Sequence, residues 1–252
     1  MQDNMDIYDG NTGNVYSGTR VETTTKTQRS ERVVVEGAMF AAKTYGLMSG
    51  GLIVSFVVAI LTSLFFPAAL FDFEFYMTVI IGELVVAMVF SFAFRKLSPF
   101  AAGALFFTYS ILTGFTLAVF MLSFGFKTFY LAFGITGSMF LALTIVGFVT
   151  KKDVSRLGPT ISVMLIALLI ASVLAFIIGG VFEMLVCAAG VLIFGLVTVY
   201  DTKKVRMFAN LAMAENDANK FVVYSAMQLY LDYINILLYM IRLLGIVNNR
   251  RS

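Results

Sequence analysis

The chain has 252 residues, 60% of them hydrophobic and only 13% charged, with a mean hydropathy of +0.90. Soluble domains are about a quarter charged, so this composition excludes one and points to an all-α integral membrane protein whose apolar runs are long enough for helices rather than barrel strands. The net charge of +3 is scattered at span ends and offers no nucleic-acid surface, and the single cysteine, Cys187, excludes an intrachain disulfide.

Histidine is absent. Proton sensing therefore falls to carboxylates, and any metal site is oxygen-lined, which suits hard cations such as Ca²⁺. No resident cofactor is expected.

Residues 1–40 read as a polar, disordered cytoplasmic tail rich in Thr, Gly, Asn and mixed charge, ahead of a membrane domain over 41–249. A basic start followed by a short apolar core does not occur, so this is not a signal peptide. Seven spans are predicted, at Thr44–Phe66, Met77–Phe94, Phe100–Phe124, Thr128–Thr150, Pro159–Gly179, Phe182–Asp201 and Tyr224–Val247. Each is near the ~20 residues a bilayer requires. Pro67 and Pro99 stand at boundaries, and Pro159 suits the first turn of its helix. Gly46 and Gly50 form a small-xxx-small pair in the first span, read as close packing within the bundle ahead of a dimer face.

Fourteen Lys and Arg fall in the tail and in the loops after spans two, four and six, against Lys127, Arg250 and Arg251 on the other side. The positive-inside rule then predicts a cytoplasmic amino terminus and an outside carboxyl terminus. The short loops suit a bacterial inner membrane. Nothing in the sequence fixes an oligomeric state.

The last span carries a polar stripe of Gln228, Asp232, Asn235, Tyr239 and Arg242. At about 100° per residue, their spacing keeps all five within an arc of roughly 80°. The remaining faces are Leu, Ile, Met and Tyr. Such a helix belongs inside a bundle, with its stripe turned to partners or water. Asp201 ends span six, and the midpoint between Asp201 and Asp232 falls between Asn216 and Asp217, in a turn-like stretch. If both helices extend to that turn, the two carboxylates stand at one height on antiparallel neighbours.

Two such carboxylates in a low dielectric do not both ionise freely, and the pair titrates in two macroscopic steps. Fully ionised, it attracts Ca²⁺ or H⁺, with Gln228, Asn235 and Tyr oxygens as neutral ligands. Sharing one proton, it holds the helices together. The plainer reading makes Asp201 a solvated or capping residue and Asp232 structural.

Glu83, in span two, reads either as a second station on an ion pathway or as a carboxylate bonded to a neighbouring helix. Arg242 either pairs with Glu83 or extends to the interface. Arg95 and Lys96 stand level with the aspartates, as an anchor at the membrane surface or as a counter-charge to the pair. No phosphate loop, zinc spacing or Ser–His arrangement occurs. An intramembrane aspartyl hydrolase would need YD in one span and GxGD in another; Tyr200–Asp201 supplies the first, and LYLDY lacks the glycine of the second.

At these same residues the sequence resembles the Bax inhibitor-1 family, also called the transmembrane BAX inhibitor motif family. QLYLDYINILLYMIRLLG, residues 228–245, is similar to that family's LYLDFINLFLxLLR, and VYDTKKV, residues 199–205, to its YDTxxI. TYGLMSGGL at 44–52 and FRKLSPFAAGALFFTYSILTGFTL at 94–117 match more weakly. Tyr233 stands where the family usually has Phe, and the amino-terminal tail is long. The resemblance implies seven helices with the last at the centre of the other six, and a pH-sensitive calcium leak gated by an aspartate pair. By motif position the pair falls on Asp201 and Asp232, the basic partner on Arg95 and the acidic residue of span two on Glu83.

The expected function is thus a calcium leak of the membrane, with Ca²⁺ and H⁺ passing through or weakly bound and lipid as its surroundings. The alternative is a regulatory protein that binds another membrane protein, a protease or stress complex, without conducting ions.

Overall fold

The computed structural model describes residues 18–70, 72–150, 157–215 and 218–249. Its elements are α1 (Gly18–Phe65), α2 (Pro67–Leu70), α3 (Phe73–Ala93), a 3-10 turn (Phe94–Lys96), α4 (Pro99–Phe124), α5 (Phe126–Val149), α6 (Gly158–Ile178), α7 (Gly180–Glu215) and α8 (Ala218–Asn249). No strand occurs among the described residues. Seven of these helices are long and apolar enough to cross a bilayer, as expected from the sequence.

The boundaries follow from local chemistry. Asp72 Oδ2 accepts from the Phe75 N–H at 3.1 Å and caps α3. Ser98 caps α4 by accepting from the Ala101 N–H at 3.2 Å, with Pro99 in the first turn. Between α4 and α5 only Gly125 intervenes, at φ 82°, a left-handed conformation that a side chain would strain.

The largest departure from expectation is at the amino terminus. Helix α1 begins at Gly18, inside the stretch read as a polar tail. Between Gly18 and Gly37 there is neither Gly nor Pro, and extending a helix already nucleated by its membrane part costs little. Residues 1–17 of the expected tail lie outside the described residues.

Lipid tails are as apolar as leucine, so helices associate here by close packing and hydrogen bonds rather than by escape from water. Helix α1 lies along α4, where a Cβ on Gly114 would stand 2.6 Å from that of Val58. Gly46 and Gly50 do not play the expected part: nothing approaches Gly46, and Gly50 meets only the Phe107 ring at 4.0 Å. The close approach is one residue further on, where Gly51 lies under the Phe106 ring. The small pair was read from spacing alone, and the helix is rotated by one position from that reading.

Helix α8 is the most enclosed span, with 44% of its apolar window buried against 11% for both α3 and α6. It packs extensively on α7, α1, α5 and α4. Single side chains join it to the two remaining spans: Tyr239 to Ser172 of α6, and Tyr224 to Phe90 of α3. A polar clamp ties it to α1 and α4 as well. The Tyr230 and Ser55 hydroxyls are 2.6 Å apart, and Ser55 also donates to the Ser110 carbonyl at 2.7 Å.

Candidate functional site

The site grows from the α7–α8 hairpin, whose helices make the most extensive contact of any pair. The hairpin turns between Glu215 and Ala218, where equal spacing put it. Asp201 stands fourteen residues before Glu215 and Asp232 fourteen after Ala218. Each is therefore about 21 Å from the turn at 1.5 Å per residue. Ring contacts confirm this register. Phe194 meets Tyr239 with centroids 6.0 Å apart, and Phe208 meets Tyr224 at 5.5 Å, each couple again nearly equidistant from the turn.

Both aspartates are buried, Asp201 at 4% exposure and Asp232 at 3%. Buried carboxylates need partners, because an isolated charge in a low dielectric is very costly. Asp201 has one: Lys204 Nζ lies 3.1 Å from its Oδ1, an ion pair without hydrogen-bond alignment. The same ammonium sits 4.3 Å from the centre of the Tyr200 ring. Asp232 has less. Its Oδ2 is buried without a hydrogen-bond partner, and the charges acting on it are those of Asp201 and Lys204. Beside them lie Tyr45, whose hydroxyl is 3.2 Å from that of Thr202 and which feels the charge of Asp232, and Ser225, whose buried hydroxyl has no partner. Asp201, Lys204, Phe208, Ser225 and Gln228 line one narrow crevice.

The rest of the polar stripe is satisfied. Asn235 Nδ2 donates to the Leu231 carbonyl at 2.8 Å. The Tyr239 hydroxyl meets Ser172 Oγ at 2.7 Å. Arg242 donates to Glu183 Oε1 through NH2 at 2.8 Å and Nε at 3.2 Å. Its partner is thus Glu183 on α7, not Glu83, and it does not simply extend to the interface. Glu83 accepts from Thr116 Oγ1 of α4 at 3.2 Å. Arg95 lies in the 3-10 turn, but its side chain is outside the described residues; Lys96 is exposed.

The described counter-charge to the aspartates is therefore Lys204, which sequence reading had counted only toward orientation. A signal was present, since Lys three residues after Asp shares its helical face. Ser225 and Tyr45 carried no comparable signal.

No cluster of three or more His, Cys, Asp or Glu occurs among the described residues. Two carboxylates with Gln228 and Ser225 oxygens fall short of the six to eight ligands that hold Ca²⁺ firmly.

Comparison with known proteins agrees with this architecture. The family described as "Inhibitor of apoptosis-promoting Bax1" matches residues 37–249. An uncharacterized protein of Borreliella burgdorferi is 32% identical over 224 residues, 87% of this chain and 96% of its own. One from Deinococcus radiodurans is 31% identical, covering 84% of this chain and 90% of its own. The "Inner membrane protein YbhL" of Escherichia coli (strain K12) is 32% identical over 234 residues, 88% of this chain and 98% of its own.

Proposed function

The chain belongs to the family of the inhibitor of apoptosis-promoting Bax1, and from that membership together with its buried aspartates we propose that it is a pH-sensitive calcium leak. One observation carries the reading. Two carboxylates at equal height on the α7–α8 hairpin are buried at 4% and 3% exposure, and an oxygen of the second lacks any hydrogen-bond partner. Such an arrangement is tolerable with a proton in it and unstable without.

The sign follows. Below the titration of the pair, one proton keeps Asp201 and Asp232 together and the crevice shut. As pH rises the proton leaves, two like charges repel in a low dielectric, and the hairpin loosens. Ca²⁺ then passes between the carboxylates, with Gln228 beside them. The outward continuation of the path runs beside Asn235, Tyr239 and Arg242, with Glu83 as a further station on α3. Arg95, at the end of α3, is a second counter-charge. The setting is a bacterial inner membrane, with the amino terminus and the α7–α8 turn on the cytoplasmic side.

Ca²⁺ flux into liposomes, followed between about pH 6 and pH 8, tests this. Flux should rise with pH in the unaltered protein and lose that dependence in Asp232→Asn. Flux indifferent to both pH and the substitution would falsify it.

A second reading draws on α1, which runs seventeen residues ahead of the span that begins at Val35. That extension is a docking segment if the protein regulates another membrane protein. Co-purification of a partner, lost on deleting the extension, with no flux from the isolated protein, would favour it.

A further inference from the structure

We infer that Lys204 is a tethered counter-cation of the aspartate site, and that it keeps divalent ions from being held there. The inference rests on the calcium-leak reading and adds to it why such a site passes Ca²⁺ instead of storing it.

The ammonium is gripped on two sides. Asp201 Oδ1 lies 3.1 Å from Nζ, and the Tyr200 ring centre lies 4.3 Å away. Lys204 is also one of the two charges acting on Asp232. It stands on the aspartate's own helix, so it cannot diffuse away as a dissolved ion would. It lines one narrow crevice with Ser225 and Gln228. Ser225 Oγ in that crevice and Asp232 Oδ2 on the same helix are both buried without hydrogen-bond partners, on residues no more than 3% exposed.

Charge counting then separates ions by valence. Two carboxylates and one ammonium carry a net charge of −1. A monovalent cation brings that to zero. A divalent one leaves a surplus positive charge among buried groups, where it is poorly screened. With Lys204 removed, two carboxylates and one Ca²⁺ balance. The lysine thus lowers the affinity for divalent ions and shortens their stay, and conduction requires binding weak enough to leave.

The experiment is Ca²⁺ binding by the full-length protein in detergent at one fixed pH, read by calorimetry and by displacement of luminescent Tb³⁺. Lys204→Gln and Lys204→Met should each bind Ca²⁺ at least about tenfold tighter than the unaltered protein, since one charge a few ångströms away is removed. Lys204→Arg, which keeps the charge, should bind as the unaltered protein does. Adding Asp232→Asn to Lys204→Gln should abolish the gain. If the two neutral variants bind no tighter than the unaltered protein, while Asp232→Asn still weakens binding, the lysine inference falls and the aspartate site stands. If Asp201→Asn and Asp232→Asn leave binding untouched even alongside Lys204→Gln, the calcium-leak reading itself falls.

Discussion

Helices α7 and α8 carry two charged groupings, and they are treated in opposite ways. Toward the far end from the turn, Arg242 and Glu183 meet through two hydrogen bonds of 2.8 and 3.2 Å, and both side chains keep some exposure. About 15 Å nearer the turn, Asp201 and Asp232 are buried, one ammonium is divided between them, and one oxygen is unpartnered. The same two helices thus hold one arrangement that is complete and one that is not. A complete ion pair fastens elements together and has little reason to change. An incomplete one is what the proposed function requires, a grouping that a single proton or cation would rearrange.

Substitutions can break or sharpen that contrast. The largest effect is expected for Asp232→Asn. A single-proton gate changes its open fraction by about tenfold across two pH units centred on its midpoint, and this span should vanish from liposome Ca²⁺ flux. Arg242→Ala should leave the pH response intact and lower stability by about 1 kcal/mol, discounted for the partial exposure of the pair, as read from thermal unfolding in detergent. Loss of the pH response there would erase the contrast, since the far grouping would then also be part of the switch. Tyr239→Phe removes the 2.7 Å contact with Ser172, and should cost about 0.5 kcal/mol in the same assay with the pH response retained. Smallest of all, Ser225→Ala removes a hydroxyl with no partner, so stability should move by less than about 0.5 kcal/mol in either direction. A clear loss of stability would reveal a partner and complete the arrangement held here to be incomplete.

Much of this was legible in the sequence, for physical reasons. Spans are set by bilayer thickness, and Pro67, Pro99 and Pro159 punctuate them, so their existence and order could be read directly. The height of Asp201 against Asp232 followed from counting residues to a turn, because an α-helix converts count to length. Partner choice was not legible. The position level with Arg242 on α7 is near Val191, and Glu183 lies eight residues beyond it; only the long reach of an arginine joins them. Rotation was hidden too. Gly46 and Gly50 had the right spacing, but the face α1 turns to α4 belongs to Gly51, and nothing local distinguishes faces separated by one residue. Lys204 was in plain view yet counted with the loop charges, since its role depends on the Tyr200 ring and the crevice that holds it.

The equal arms of the hairpin have a mechanical corollary. Each runs about 21 Å from the bend to its carboxylate, so splaying the arms by about 5° would part the two acids by roughly 2 Å at constant helix length. Helices α7 and α8 would then work as the two arms of a pair of tongs. Any change in the angle between the arms would move the carboxylates without a contact to either of them.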